Sequence, residues 1–257
     1  MTSLLSAAVR RCRSGLLALA LLSGCVNADV VPEAADIGLT GALSRVVVQG
    51  RWLYTVDGQT LRIFDLGGAT TSNTAPQLLG SAALGVDIES VYPIGSYLFV
   101  GTAAGLYLFD VAVPQQPRRL GHYAQAVSCD PLVVEGRWAY ITLRPNRSCG
   151  GGPGQLQVVD LQNPAQPQQV QAYPLTQPYG LALHPDSARL FVCDAGLRVF
   201  DTRQAPTLRP LDHFAVEAFD VEADRDLLLV SGSSALYQYR YTRGALQRLS
   251  ALPISRP

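Results

Sequence analysis

The side chains able to do chemistry are few in this chain of 257 residues, and their spacing excludes several reactions. Lysine is absent and all 20 basic residues are arginines, so Schiff-base chemistry and a tuned amine base are both unavailable. His122, His184 and His213 are the bases of ordinary pKa, and none stands beside a Gly-x-Ser-x-Gly elbow or a second histidine, so no nucleophilic triad is indicated. The run Gly150-Gly151-Gly152 lacks the lysine and the following helix of a phosphate loop. Cys129, Cys149 and Cys193 lack the C-x-x-C spacing and the neighbouring histidines of a zinc site. A formal charge of zero, with no basic stripe, argues against a nucleic-acid partner.

What does recur is a pentapeptide: Leu61-Arg62-Ile63-Phe64-Asp65, Leu106-Tyr107-Leu108-Phe109-Asp110, Leu156-Gln157-Val158-Val159-Asp160 and Leu197-Arg198-Val199-Phe200-Asp201. Its aspartate is a candidate ligand, but a short carboxylate at a strand end more simply accepts hydrogen bonds from the N–H groups of the following turn. Each copy is preceded by an apolar run, a turn and a second apolar run, and followed by a turn holding Pro76, Pro114 with Pro117, Pro164 with Pro167, or Pro206. No stretch sustains helical periodicity. Four strands per repeat of roughly 40–50 residues is the pattern of a β-propeller blade, and the residues predict an all-β chain forming a single propeller of about five four-stranded blades. The units run over about 43–84, 85–125, 126–175, 176–214 and 215–254. An open array of the same blades is the alternative. The fifth copy, Leu236-Tyr237-Gln238-Tyr239-Arg240, carries arginine in place of aspartate and leaves the turn of the closing blade undefined. Closure requires either a strand from Asp36 to Thr40 added to the last blade or side-chain packing alone.

Over residues 43–252 the chain resembles the LVIVD-repeat proteins, and 156–167, with its marker followed by Pro164 and Pro167, is the copy most like that family's motif. The resemblance implies an exported bacterial or archaeal propeller and names no reaction.

The N-terminus is consistent with export. Arg10, Arg11 and Arg13 precede an uncharged run over 14–24, about half of the roughly 20 residues a membrane-spanning helix needs. Residues 1–24 read as a signal peptide. Leu22-Ser23-Gly24-Cys25 resembles the lipobox of bacterial lipoproteins, which implies lipidation of the Cys25 thiol and a mature chain starting there, with 25–42 as a tether. Val26 is not the aspartate that retains some lipoproteins on the inner membrane, so the expected address is the outer membrane of the bacterial cell envelope. That compartment is oxidising. Cys149 lies in a Gly-rich insertion over 144–154 of the third unit, and Cys129 begins that unit's first strand, so a Cys129–Cys149 disulfide is expected to pin the insertion. Cys193 reads as a buried thiol.

Aligning the units places Arg45, Asp87, Glu89, Asp130, Tyr179, Glu217 and Asp220 at the starts of the innermost strands, where a propeller's channel opens. Such an acidic funnel suits a cation or a polyol. No catalytic residue is assigned and no cofactor is called for, although a divalent cation would suit the carboxylates. The expected function is a non-catalytic binding or scaffold module, held to the membrane through the lipid on Cys25, with an envelope protein, a glycan or a small molecule as partner. The alternative is a metal-assisted hydrolase or lyase working at the channel mouth. Peptide mapping without reductant should recover Cys129 and Cys149 in one linked fragment, and reducing that bridge should cost about 3 kcal/mol of stability.

Overall fold

The computed structural model describes residues 45–67, 75–102, 104–124, 131–145 and 152–254. The signal peptide, Cys25 and the tether, the Asp36 to Thr40 segment, and Cys129, Asp130 and Cys149 lie outside the described residues, as does the side chain of Glu89.

Among the described residues twenty strands form five antiparallel sheets, each built from four consecutive strands. Blade 1 holds β1 (Arg45–Gln49), β2 (Trp52–Asp57), β3 (Thr60–Asp65) and β4 (Gln77–Ala83). Blade 2 holds β5 (Ile88–Ile94), β6 (Tyr97–Thr102), β7 (Gly105–Asp110) and β8 (Arg118–Tyr123). Blade 3 holds β9 (Leu132–Glu135), β10 (Trp138–Leu143), β11 (Gln155–Asp160) and β12 (Gln168–Pro174). Blade 4 holds β13 (Pro178–Leu183), β14 (Arg189–Asp194), β15 (Leu197–Asp201) and β16 (Arg209–Phe214). Blade 5 holds β17 (Asp220–Asp224), β18 (Leu227–Ser231), β19 (Ala235–Thr242) and β20 (Ala245–Pro253). The architecture is a β-propeller, with the predicted five units each forming one blade.

Burial follows from stacking. In blades 1–4 the second and third strands are largely apolar and mostly buried, as in β6 and β11, whereas β18 and β19 of blade 5 are partly exposed and the outer strands β12 and β20 are mostly exposed. Alternating side chains send one set toward each neighbouring blade. One apolar cluster joins blades 1 and 2 (Tyr54, Leu61, Leu98, Phe109), a second joins 2 and 3 (Phe99, Leu108, Ile141, Val159), a third joins 3 and 4 (Tyr140, Leu156, Leu190, Phe200), and a fourth joins 4 and 5 (Phe191, Val199, Leu228, Tyr239). Among the described residues no such cluster joins blade 5 to blade 1. Val47 packs toward blade 2, while its neighbours Val46 and Val48 stay 55% and 57% exposed. Leu229, between the buried Leu228 and Val230, is 45% exposed. All four described strands of the last blade come from residues 220–253.

The marker lies on the third strand of every blade and does three things there. First, pairing to the fourth strand shifts register within each copy: between Ile63 and Phe64, Leu108 and Phe109, Val158 and Val159, Val199 and Phe200, and Gln238 and Tyr239. The extra residue on the fourth strand is aliphatic each time, namely Leu79, Leu120, Val170, Leu211 and Leu249, so each outer strand bends at a bulge. Second, the aspartate organises its turn as expected. Asp65, Asp110, Asp160 and Asp201 each accept from the backbone N–H two residues on, at 2.8–3.0 Å. Third, it pairs with arginine, which spacing alone did not reveal. Arg51 and Arg137, in the turns before β2 and β10, donate through Nε to Asp65 and Asp160 at 2.9 and 3.0 Å and lie over Trp52 and Trp138. Arg118 and Arg203 play that part for Asp110 and Asp201. These partners hold the four carboxyls below their ordinary range, Asp110 chiefly through the Ala112 N–H and the others chiefly through arginine.

Blade 5 reverses the pair. Arg240 takes the aspartate's place and meets Asp226, which stands where Arg51 and Arg137 stand, at 3.2 Å. The backbone bond is kept: Tyr241 N donates to Asp226 O as Leu66 N does to Arg51 O. The undefined turn is a tight hairpin in which Thr242 faces Ala245 across Arg243 and Gly244, with Gly244 at a φ of 80° that favours glycine.

The proline turns also grip the preceding blade. Pro114 presses on Gly80 of β4 and Pro164 on Gly121 of β8, so closely that a Cβ at either glycine would strike the turn's carbonyl oxygens. Tyr173 of β12 does the same work on blade 4 by donating to Pro206 O and accepting from Leu208 N.

Truncating Leu190, fully buried between blades 3 and 4, to alanine should cost about 2–5 kcal/mol in urea unfolding. Val48→Ala, on the exposed face of β1, should change stability by less than about 0.5 kcal/mol.

Candidate functional site

All five innermost strands run in the same direction, so their first residues crowd one end of a central channel. The channel encloses about 610 Å³ and is lined by Val47, 91–94, 131–134, 181–183, and Asp220, Glu222 and Ala223. Its walls are apolar on the β5, β9 and β13 sides (Ile94, Leu132, Val134, Leu181) and acidic on the β17 side.

The mouth is assembled mainly where β13 meets β17. Gly180 N donates to Phe219 O at 2.9 Å, and a Cβ on Gly180 would collide with Asp220, so only glycine lets the strands approach this closely. The approach brings Tyr179 edge-on to Phe219, with ring centroids 5.2 Å apart and planes at 74°. Arg144, just beyond the end of β10, lies over the Tyr179 ring at 5.2 Å, and the Thr142 hydroxyl donates to Tyr179 O at 2.6 Å. Asp194, fully buried at the end of β14, fixes the segment leading into β13 by accepting from Thr176 N and Gln177 N at 2.8 and 2.6 Å and pairing with Arg198.

Tyr92 of β5 feels both signs of charge. Burial raises its phenol, and the charges of Asp220, Arg45 and Arg144 all act on it. Glu222, two residues beyond Asp220 and so on the same face of β17, faces the channel; confinement there raises its carboxyl, and the Asp220 charge adds to the rise.

Of the seven residues expected at the mouth, the structure brings Arg45, Tyr179 and Asp220 to it. Asp87 turns aside to accept from the Gln59 amide at 3.1 Å, and Glu217 accepts from Ser233 N at 3.0 Å, so both tie down loops at the blade edges. The expectation of an acidic funnel is corrected to that extent: among the described residues the mouth sets Arg45 and Arg144 against Asp220 and Glu222 around an aromatic pair. Tyr92, Arg144, Phe219 and Glu222 were missed. Tyr92 and Glu222 lie deeper along their strands than the starts that were compared, Phe219 lies just before one, and Arg144 follows a second strand. Among the described residues no three His, Cys, Asp or Glu side chains come together as a metal-binding group.

The remaining reactive groups are structural. His122 and His213 lie on fourth strands and meet the carbonyls of Ala104 and Ala195 through Nε2 at 2.9 and 3.2 Å, which ties each ring to the turn between its blade's second and third strands. His184 Nδ1 accepts from Asp186 N at 3.0 Å in the turn before β14. Cys193 is a buried free thiol raised to about 12 by burial, so it is not a nucleophile at neutral pH.

No protein-family model and no curated protein sequence matches the chain. Solved structures match its fold. A protein of unknown function from Desulfotomaculum acetoxidans superposes with a TM-score of 0.65 at 11% identity, over 83% of this chain and 70% of that one. A proposed 6-phosphogluconolactonase from Bacteroides fragilis gives 0.62 at 13%, over 85% and 72%. A periplasmic gluconolactonase from Pseudomonas aeruginosa gives 0.59 at 16%, over 80% and 69%. At these identities the likeness is one of fold. No helix among the described residues is long and apolar enough to cross a membrane.

Asp220→Asn should bring the Glu222 pKa down toward its ordinary value while confinement keeps it above, which a carbon NMR pH titration of carboxyl-labelled glutamate would follow.

Proposed function

We propose that this protein is a lipid-anchored binding module of the bacterial cell envelope whose channel mouth takes a small carbohydrate-type ligand, a sugar acid in particular. The observation that carries this reading is the mixed mouth itself. The rings of Tyr179 and Phe219, the latter 37% exposed, offer an apolar platform for a sugar face. Asp220 and Glu222 accept from hydroxyls, and Arg45 and Arg144 match a carboxylate. A pocket of this volume, apolar with a few convergent polar groups, is the common form of a small-molecule site. The leader over 1–24 and the lipobox-like Leu22 to Cys25 support the envelope address, and the marker's likeness to the LVIVD repeat supports the same compartment.

A second reading has its own observation. Glu222, with a raised pKa beside Asp220, is the kind of carboxyl pair that divides acid and base roles, and two fold neighbours are described as lactonases. On that reading the channel would hydrolyse a sugar lactone.

One assay separates the two. D-gluconate and D-glucono-1,5-lactone are titrated into the protein while affinity and acid release are recorded. The binding reading expects saturable gluconate binding, weakened about tenfold by Tyr179→Ala, with no acid release beyond the spontaneous rate. Acid release abolished by Glu222→Gln would replace it with the lactonase reading. Failure of any sugar acid or lactone to bind would remove both.

A further inference from the structure

At the end of the blades opposite the channel mouth, blade 4 departs from blades 1 and 3. In blades 1 and 3 the turn after the innermost strand supplies an Arg–Trp pair, and the guanidinium of Arg51 or Arg137 fills the space between that indole and the marker aspartate. In blade 4 the same two positions hold Ala188 and Arg189, since Arg189 faces Asp201 across the ladder as Trp52 faces Asp65. Ala188 is small, and the pairing with the aspartate passes to Arg203 in the turn after the marker. The space is an open cavity of about 210 Å³ bounded by Ser187, Ala188, Arg189, Asp201, Arg203 and, from the β19–β20 hairpin, Arg243.

Its charges do not balance. Asp201 is taken by Arg203, whose Nε reaches both carboxyl oxygens at 2.9 and 3.0 Å. Arg189 stands over the Tyr241 ring at 5.6 Å and donates to Ser187 Oγ at 3.1 Å, which fixes its guanidinium at the cavity wall. Arg243 is exposed at the tip of its hairpin. Three guanidinium groups face one carboxylate, and because guanidinium stays protonated the surplus positive charge persists at every working pH.

We propose that this cavity between blades 4 and 5 is a binding site for a tetrahedral dianion, a phosphate or phosphate-monoester group, held by Arg189, Arg203 and Arg243 with the Ser187 hydroxyl. Guanidinium forks match phosphoryl oxygens in pairs, and the open cavity of about 210 Å³ has room for such a group. The site is independent of the channel reading, since it lies at the other end of the blades and shares no residue with the channel.

The test uses the full-length protein at low ionic strength, titrated with inorganic phosphate and with glycerol 3-phosphate and compared with equal ionic strength of chloride. Saturable binding of either is expected. Ala188→Leu, which fills the cavity without changing charge, and Arg243→Ala, on an exposed hairpin, should each weaken binding at least about tenfold. Arg118→Ala, which removes an exposed arginine of the same type in blade 2, should leave it unchanged. Binding of glycerol 3-phosphate alone would assign the site to an organic phosphate such as a sugar phosphate or lipid headgroup, and binding of both to the phosphate group itself. No shift beyond chloride, or equal loss in Arg118→Ala and Arg243→Ala, would overturn the proposal.

Discussion

A four-stranded sheet with apolar side chains on both faces cannot stand alone in water, and the rest of this molecule depends on that constraint. Each blade is stable only between neighbours. In blades 1–4 strands two and three are therefore mostly buried on either side, and polar residues gather on the outer strands and on the channel strand β17. The four clusters between successive blades are the energetic centre of the fold. The proline turns add a mechanical link, because the loop that ends one blade's marker fits against the outer strand of the blade before it. Tyr173 and Asp212 continue this interlock into blades 4 and 5, the second by accepting from the Tyr241 hydroxyl at 2.8 Å.

Radial stacking also divides the labour between repeated and unrepeated residues. The marker strand and its bulge sit away from the axis and recur in every blade, because every blade meets the same geometry there, while the ion pair is kept with varying partners. Around the axis no two innermost strands meet the same neighbours, so their residues are free to differ. β5, β9 and β13 supply apolar wall, and β17 supplies Asp220 and Glu222. The aromatic and charged groups of the mouth gather where Gly180 permits one strand to approach the next.

The blades were legible in the sequence because the pentapeptide, the apolar runs and the proline turns recur in register, and a strand's period of two residues is insensitive to loop length. The turn-forming role of the marker aspartates could be read for the same reason. Their arginine partners could not, since Arg51 lies fourteen residues from Asp65 and only the ladder joins them. The site was legible in part. Arg45, Tyr179 and Asp220 follow from counting back from the second strands, but the innermost strands β5 and β13 carry register shifts between Ile88 and Ser90 and between Pro178 and Leu181. Such shifts turn neighbouring side chains to different faces. Asp87, just before β5, was accordingly placed at the mouth when it ties down a loop, whereas Glu217, before the regular strand β17, was placed there although its carboxyl accepts from Ser233 N, and Arg144 escaped notice because it follows a second strand.

Repeats of this likeness carry a hazard during folding, because the third strand of one blade could zip onto the second strand of another. Arg240 and Asp226 act against that error. Were β19 to pair with β2 or β10, Arg240 would meet Arg51 or Arg137, and β18 offered to β3 or β11 would set Asp226 against Asp65 or Asp160. A reversed ion pair, worth little to the finished propeller, thus works as an address label that keeps the terminal blade's strands from being shuffled with those of its siblings.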